Sequence, residues 1–63
     1  MDLKNNLKQL RNDRKLSQQR VSDMNDIPRS TYSGYENGVA EPNLCTIIKL
    51  AKFYKVSVDT LIQ

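Results

Sequence analysis

Histidine is absent from the 63-residue chain, and cysteine occurs once, as Cys45. With no imidazole and one thiol, the chain cannot assemble a Cys/His zinc site, a His-dependent catalytic triad or an intrachain disulfide. An iron–sulfur or haem-type site is not expected either. No apolar run approaches the roughly 18 residues that a helical membrane span needs. The stretch from Met1 to Lys8 sets Asp, Lys and Asn among its leucines, and so lacks the apolar core of a signal peptide. These absences point to a reduced, soluble, cytoplasmic chain with no cofactor, no membrane partner and no evident small-molecule ligand. The carboxylates Asp13, Asp23, Asp26 and Asp59 are scattered, and no nucleophile stands with a base, so enzymatic chemistry is not expected. A chain this short fits one domain, taken as 1–63. Its core is marginal, so stability must come from tight helix packing or from a partner.

Lys and Arg number ten against seven Asp and Glu, a net charge of +3. The excess lies in the first half. Lys4, Lys8, Arg11, Arg14, Lys15, Arg20 and Arg29 there oppose Asp2, Asp13, Asp23 and Asp26, while residues 30–63 are balanced. Such asymmetry suits a one-sided surface for a polyanion, although it also describes an ordinary solvated face.

Leu3, Leu7 and Leu10 form one apolar stripe, predicting a helix from Asp2, as N-cap, to about Arg14 or Lys15. Ser17 caps a second helix, Gln18 to Met24, with Leu16 and Val21 as a hydrophobic staple. Asn25 and Asp26 tolerate the left-handed conformation of a tight turn. Pro28 suits the first turn of a third helix, which ends at Asn37 before Gly38. Asn43 caps a fourth helix with the stripe Leu44, Ile47, Ile48 and Ala51, flanked by Leu50 and Tyr54. Ser57 caps a fifth, with Asp59 in its first turn and Val56 stapled to Leu61. Five short helices with brief joints make an all-α bundle.

The pair Gln18 to Asn37, two helices around the turn Asn25–Ile27, has helix-turn-helix dimensions and would hold its second helix out toward a major groove. Val21, Met24, Ile27, Tyr32 and Tyr35 are the residues expected to lock the pair together. The opposite face of the third helix then offers Arg29, Ser30, Thr31, Ser33 and Gly34. Arg29 stands near the helix N-terminus, where side chains meet base edges and backbone N–H groups favour phosphate. On spacing alone, the same two helices would also fit an ordinary bundle with a solvated polar face.

Leu16-Ser17-Gln18, Arg29-Ser30-Thr31, Tyr35-Glu36-Asn37-Gly38, Glu41-Pro42, Leu50-Ala51-Lys52 and Val56-Ser57-Val58-Asp59 follow one another in order. This succession resembles the Xre family of bacterial and phage repressors, of Cro/cI type, from about Leu3 to Ile62. The resemblance implies a five-helix, lambda repressor-like bundle that binds double-stranded operator DNA as a homodimer. It implies that Gln18 contacts a phosphate and braces the recognition helix. Arg29, Ser30 and Gly34 would read bases, with Thr31 and Ser33 beside them and Asn37 on a phosphate. Arg11 and Glu36 would form an ion pair tying the first helix to the end of the third, in a structural rather than a DNA-contacting role.

Several positions depart from the family pattern. Gly34 offers no side chain where a base reader often stands, and Pro28 replaces a Ser or Thr cap. Asp26 and Lys55 replace turn glycines, Asn25 replaces a core apolar residue, and Val39-Ala40-Glu41 lacks a base. A protein-interaction module of the same fold, antitoxin-like or partner-bridging, is the alternative function. Tyr32 and Tyr35 are expected in the core rather than stacked on single strands, and Cys45 near the core rather than as a redox sensor. Phe53, Leu61 and Ile62 are too many to bury in one small monomer, so a dimer seam along the fourth and fifth helices is expected.

Overall fold

A computed structural model describes residues 2–63. Five helices follow in order: α1 (Leu3–Asp13), α2 (Gln18–Asn25), α3 (Arg29–Asn37), α4 (Leu44–Tyr54) and α5 (Val58–Ile62). Three begin on side-chain caps. Ser17 Oγ accepts from the Arg20 N–H at 3.0 Å, Asn43 Oδ1 from the Thr46 N–H at 2.9 Å, and Ser57 Oγ from the Thr60 N–H at 3.0 Å. Each satisfies a first-turn donor that has no partner within the helix. Asp2 does not cap in this way. Its carboxylate accepts from the Asn5 side chain at 2.8 Å, and no backbone N–H of α1 reaches it.

Three of the helices stop on left-handed residues. Gly38 (φ 76°) ends α3, while Asp26 (φ 58°) and Lys55 (φ 59°) end α2 and α4. Lys15, just after α1, adopts the same conformation at φ 57°, which the sequence pattern did not single out. A Cβ at Gly38 would meet only the flexible Lys4 side chain, 3.0 Å from its Cδ, so the positive φ is what favours glycine there.

Two boundaries differ from expectation. α2 runs one residue further, through Asn25, and the turn is Asp26–Pro28. Asn25 stays helical because its buried side-chain amide donates to the Val21 carbonyl four residues back, at 2.9 Å. Pro28 is the N-cap of α3 rather than a first-turn residue. Its ψ of 139° is extended, and it provides no side-chain acceptor.

The core consists of Leu3, Leu7, Val21, Tyr32, Tyr35, Leu50, Ala51, Tyr54 and Leu61. On α4 the buried stripe is therefore Leu50, Ala51 and Tyr54, with Ile47 half-buried; Leu44 is 67% exposed and Ile48 is exposed as well. The expected stripe 44-47-48-51 and the observed one 47-50-51-54 share the same helical spacing. Tyr54 decides between them, because its large ring and hydroxyl fit inside against Tyr32. Met24 is 56% exposed and does not lock α2 to α3, and Cys45 is exposed rather than near the core. Leu61 is fully buried, while Phe53 and Ile62 are only partly so.

Polar cross-links hold the ends together. Asn6 Nδ2 donates to the Leu61 carbonyl at 2.8 Å and to the Thr60 carbonyl at 3.3 Å, and the Asp2 N–H reaches the Ile62 carbonyl at 3.2 Å. These donors on α1 satisfy the carbonyls at the end of α5. Arg14 does the same for α4, donating to the Tyr54 carbonyl while its guanidinium lies 5.3 Å from the Tyr54 ring centroid. Leu7, with no exposed surface, should lose about 2–5 kcal/mol of stability on Leu7→Ala. The loop-tip change Val39→Ser, at a side chain 83% exposed, should stay within about 0.5 kcal/mol, and urea melts of the two variants check both values.

Candidate nucleic-acid interface

The α2–turn–α3 unit is fastened from behind by one carboxylate. Glu36, near the end of α3, has a side chain with no exposed surface, whereas that of Arg11 is 15% exposed. Arg11 Nε donates to Glu36 Oε2 at 2.7 Å and Arg11 Nη2 to Glu36 Oε1 at 3.0 Å. Gln18 Nε2, in the first turn of α2, donates to Glu36 Oε1 at 3.1 Å. Arg11 Nη1 also holds the Leu16 carbonyl at 2.9 Å, just before α2. One buried acid thus joins α1, the start of α2 and the end of α3. Burial by itself would push the Glu36 carboxyl up. The hydrogen bonds from Arg11 and Gln18, with the Arg11 charge, outweigh it and hold the group below the usual carboxylate range.

The middle of α3 is anchored separately. The Tyr32 and Tyr54 hydroxyls lie 2.7 Å apart in the core, tying α3 to α4. Burial pushes both phenols above their ordinary range, so both stay protonated at neutral pH. Tyr35 meets Tyr32 edge to face, with ring centroids 6.4 Å apart. Both rings are thus occupied inside the protein and cannot stack on unpaired bases.

The opposite side of α3 is open. Arg29, Ser30, Thr31 and Asn37 are exposed, and Ser33 and Gly34 half-exposed. Asn37 Nδ2 donates to Ser33 Oγ at 3.3 Å. Among the described residues, no internal side-chain hydrogen bond uses Arg29, Ser30 or Thr31. Because Pro28 provides no side-chain cap, the first-turn N–H groups of α3 keep their capacity for an outside acceptor. A side chain at Gly34 would point at Ala40, 3.6 Å from its Cβ. The loop after α3 folds over that position, its Val39 and Ala40 N–H groups donating to the Gly34 carbonyl at 3.0 and 3.2 Å.

Charge is less one-sided than the sequence suggested. Arg11 is bound to Glu36 and Arg14 to the end of α4, so two of the seven first-half cations serve the fold. Arg20 and Arg29 remain on the helix-turn-helix itself. Sequence reasoning missed Asn6, Arg14 and Lys49 as cross-linking residues. For these, spacing carries no signal, since each reaches a carbonyl whose position only the packed helices determine. The Tyr32–Tyr54 pair had a signal, because a buried phenol needs a polar partner.

The helix-turn-helix family matches residues 7–61. The chain belongs to that family, in its Xre (Cro/cI) type. Its members are DNA-binding transcriptional regulators, not enzymes. The chain is similar to the Bacillus subtilis HTH-type transcriptional regulator YqaE, 40% identical over 92% of this chain and 50% of the relative. The SPbeta prophage-derived regulator YonR of the same species is 44% identical over 90% of this chain and 53% of the relative. The cryptic phage CTXphi transcriptional repressor RstR of Vibrio cholerae is 39% identical over 90% and 51% respectively. The chain spans about half the length of these relatives. No solved structure matches it. No helix among the described residues is long and apolar enough to cross a membrane.

In this helix-turn-helix unit, Arg11→Met would leave a buried carboxylate unpaired, at a cost of about 3–5 kcal/mol. The folded carboxyl of Glu36 lies below its unfolded value. Its contribution to stability is therefore complete above the ordinary carboxylate range and is lost as pH falls through the folded value. Urea melts across acid pH should show this loss in the parent protein. Glu36→Gln should be less stable at neutral pH and show a shallower decline on acidification.

Proposed function

We propose that residues 1–63 act as one unit that binds double-stranded DNA sequence-specifically and represses transcription in the cytoplasm of a bacterium. The observation that carries this reading is the free face of α3, with Arg29, Ser30 and Thr31 exposed and uncommitted while the opposite face is locked inside. A helix with its side chains is about 10–12 Å across, so α3 fits a major groove about 12 Å wide. In this reading Arg29 contacts a guanine edge and Ser30, Thr31 and Ser33 meet bases or nearby backbone, while Gly34, where a side chain would face Ala40, lies among them and leaves its base unread. Gln18 and Asn37 take phosphates on either side. Arg11 and Glu36 act through the fold. The repressor role is supported by the phage repressor among the relatives.

The protein acts as a homodimer on a palindromic operator, joined along α4 and α5. Leu44 and Ile48 on α4, with the partly covered Phe53 and Ile62, offer apolar surface that a second copy would bury. Two half-site contacts also make up for a modest net charge of +3. The alternative, a protein-interaction module, draws on the exposed Val39 in a loop without a basic residue.

Arg29→Ala should cost about 1–3 kcal/mol of operator binding and relax preference at one base pair. Binding selection on random duplexes checks this; an equal loss on all sequences would make Arg29 a phosphate contact instead. The selected sites should be palindromic, with half-sites about 34 Å apart, and sedimentation of the complex should report two protein copies per site. Affinity should fall steeply with added salt as counterions are released. A partner-binding module would show no such dependence.

A further inference from the structure

We propose that Lys49 is a positioning residue for DNA recognition, acting through the turn that launches α3. This rests on the reading that the free face of α3 meets DNA. α3 has three mounts. Its C-terminal end is held by Glu36 on Arg11 and Gln18, and its middle by Tyr32 on Tyr54. Its N-terminal end, which carries Arg29, Ser30 and Thr31, enters from the Asp26–Pro28 turn. That turn starts at the Asn25 carbonyl, and Lys49 Nζ, reaching across from α4, donates to this oxygen at 3.1 Å.

The turn is built without glycine and needs outside support. Asp26 takes a left-handed conformation (φ 58°) that a residue with a side chain adopts only at a cost. Asn25 occupies a buried position with a polar side chain, satisfied only by folding back on Val21. The Ser22 carbonyl already accepts the N–H groups of Asp26 and Ile27. The Asn25 carbonyl lies at the helix end, where no further turn of helix can supply a donor. The Lys49 ammonium provides one with a full charge, at the negative end of the α2 dipole. Fixing that peptide plane fixes the direction in which Asp26, Ile27 and Pro28 lead into α3. Lys49 thus sets the angle at which Arg29 is presented, without touching DNA.

The test compares Lys49→Met and Lys49→Arg with the parent protein, on the selected operator and on an unrelated duplex, over a range of salt. Circular dichroism at the assay temperature establishes folding, which an exposed position should preserve. Lys49→Met is expected to weaken operator binding about 3- to 30-fold, the scale of a perturbed coupling network. Unrelated-duplex affinity should change less than about twofold, and the salt slope should be the same, since no phosphate contact is lost. Lys49→Arg should recover most of the operator affinity, and amide exchange at Asp26 and Ile27 should quicken in Lys49→Met alone. Equal losses on both duplexes with a shallower salt slope would make Lys49 a phosphate contact and overturn the proposal. So would unchanged operator binding alongside a lowered melting temperature, which would leave Lys49 a purely structural cap. A parent protein that prefers no duplex sequence would instead overturn the reading of α3 on which the proposal stands.

Discussion

A charge placed inside so small a protein is expensive unless it is paired and hydrogen-bonded, and the Glu36 carboxylate meets that condition with donors from two other helices. Arg11 supplies a two-pronged bond and Gln18 a third hydrogen bond, so the same oxygen atoms that need partners also fix three helices at one point. An apolar contact at that site could have slid by an ångström or rotated. A forked guanidinium on a carboxylate cannot do so without losing directional bonds. The relative placement of α1, α2 and the end of α3 therefore follows from one ion pair.

The same logic recurs at the other joints. Nine buried apolar residues make a thin core, and polar links complete what it cannot hold. Asn6 closes α1 onto α5, Arg14 closes α1 onto the end of α4, and the two tyrosine hydroxyls join α3 to α4. Each satisfies groups that burial or a helix end would otherwise orphan, and each imposes a geometry. The result is an α3 mounted rigidly on one face and uncommitted on the other. Because its inner side chains are spent on the fold, what remains outward is available for a partner.

Those joints have a charge cost. Arg11 belongs to the basic half of the sequence but is paired with the buried Glu36, so the long-range attraction available to a polyanion is smaller than the count of cations suggests. A domain with this balance depends on the quality of its close contacts rather than on field strength alone. The exposed apolar residues of α4 fit the same picture, since a second copy would add contacts that charge does not supply.

Much of this was legible in the order of residues. Ser17, Asn43 and Ser57 mark helix starts because a short polar side chain can accept a first-turn N–H, and Gly38 marks a stop because only glycine is at ease at positive φ. The motif succession pointed to the family, and the pairing of Arg11 with Glu36 followed from it. What stayed hidden was rotation and reach. Two stripes on α4 have identical spacing, and only the need to place Tyr54 against Tyr32 selected the one that leaves Leu44 and Ile48 outside. Met24 was a plausible inner residue by period and lies outside. Asn25 remained in α2 because of a bond to its own backbone, and Lys49 reached its carbonyl across a gap that no periodicity encodes. Local chemistry is written along the chain, so the sequence by itself determined the elements, the caps at Ser17, Asn43 and Ser57, and the family. Which faces turn inward, and which long polar side chains end on which carbonyls, depends on distances between helices, and only the tertiary structure decided them.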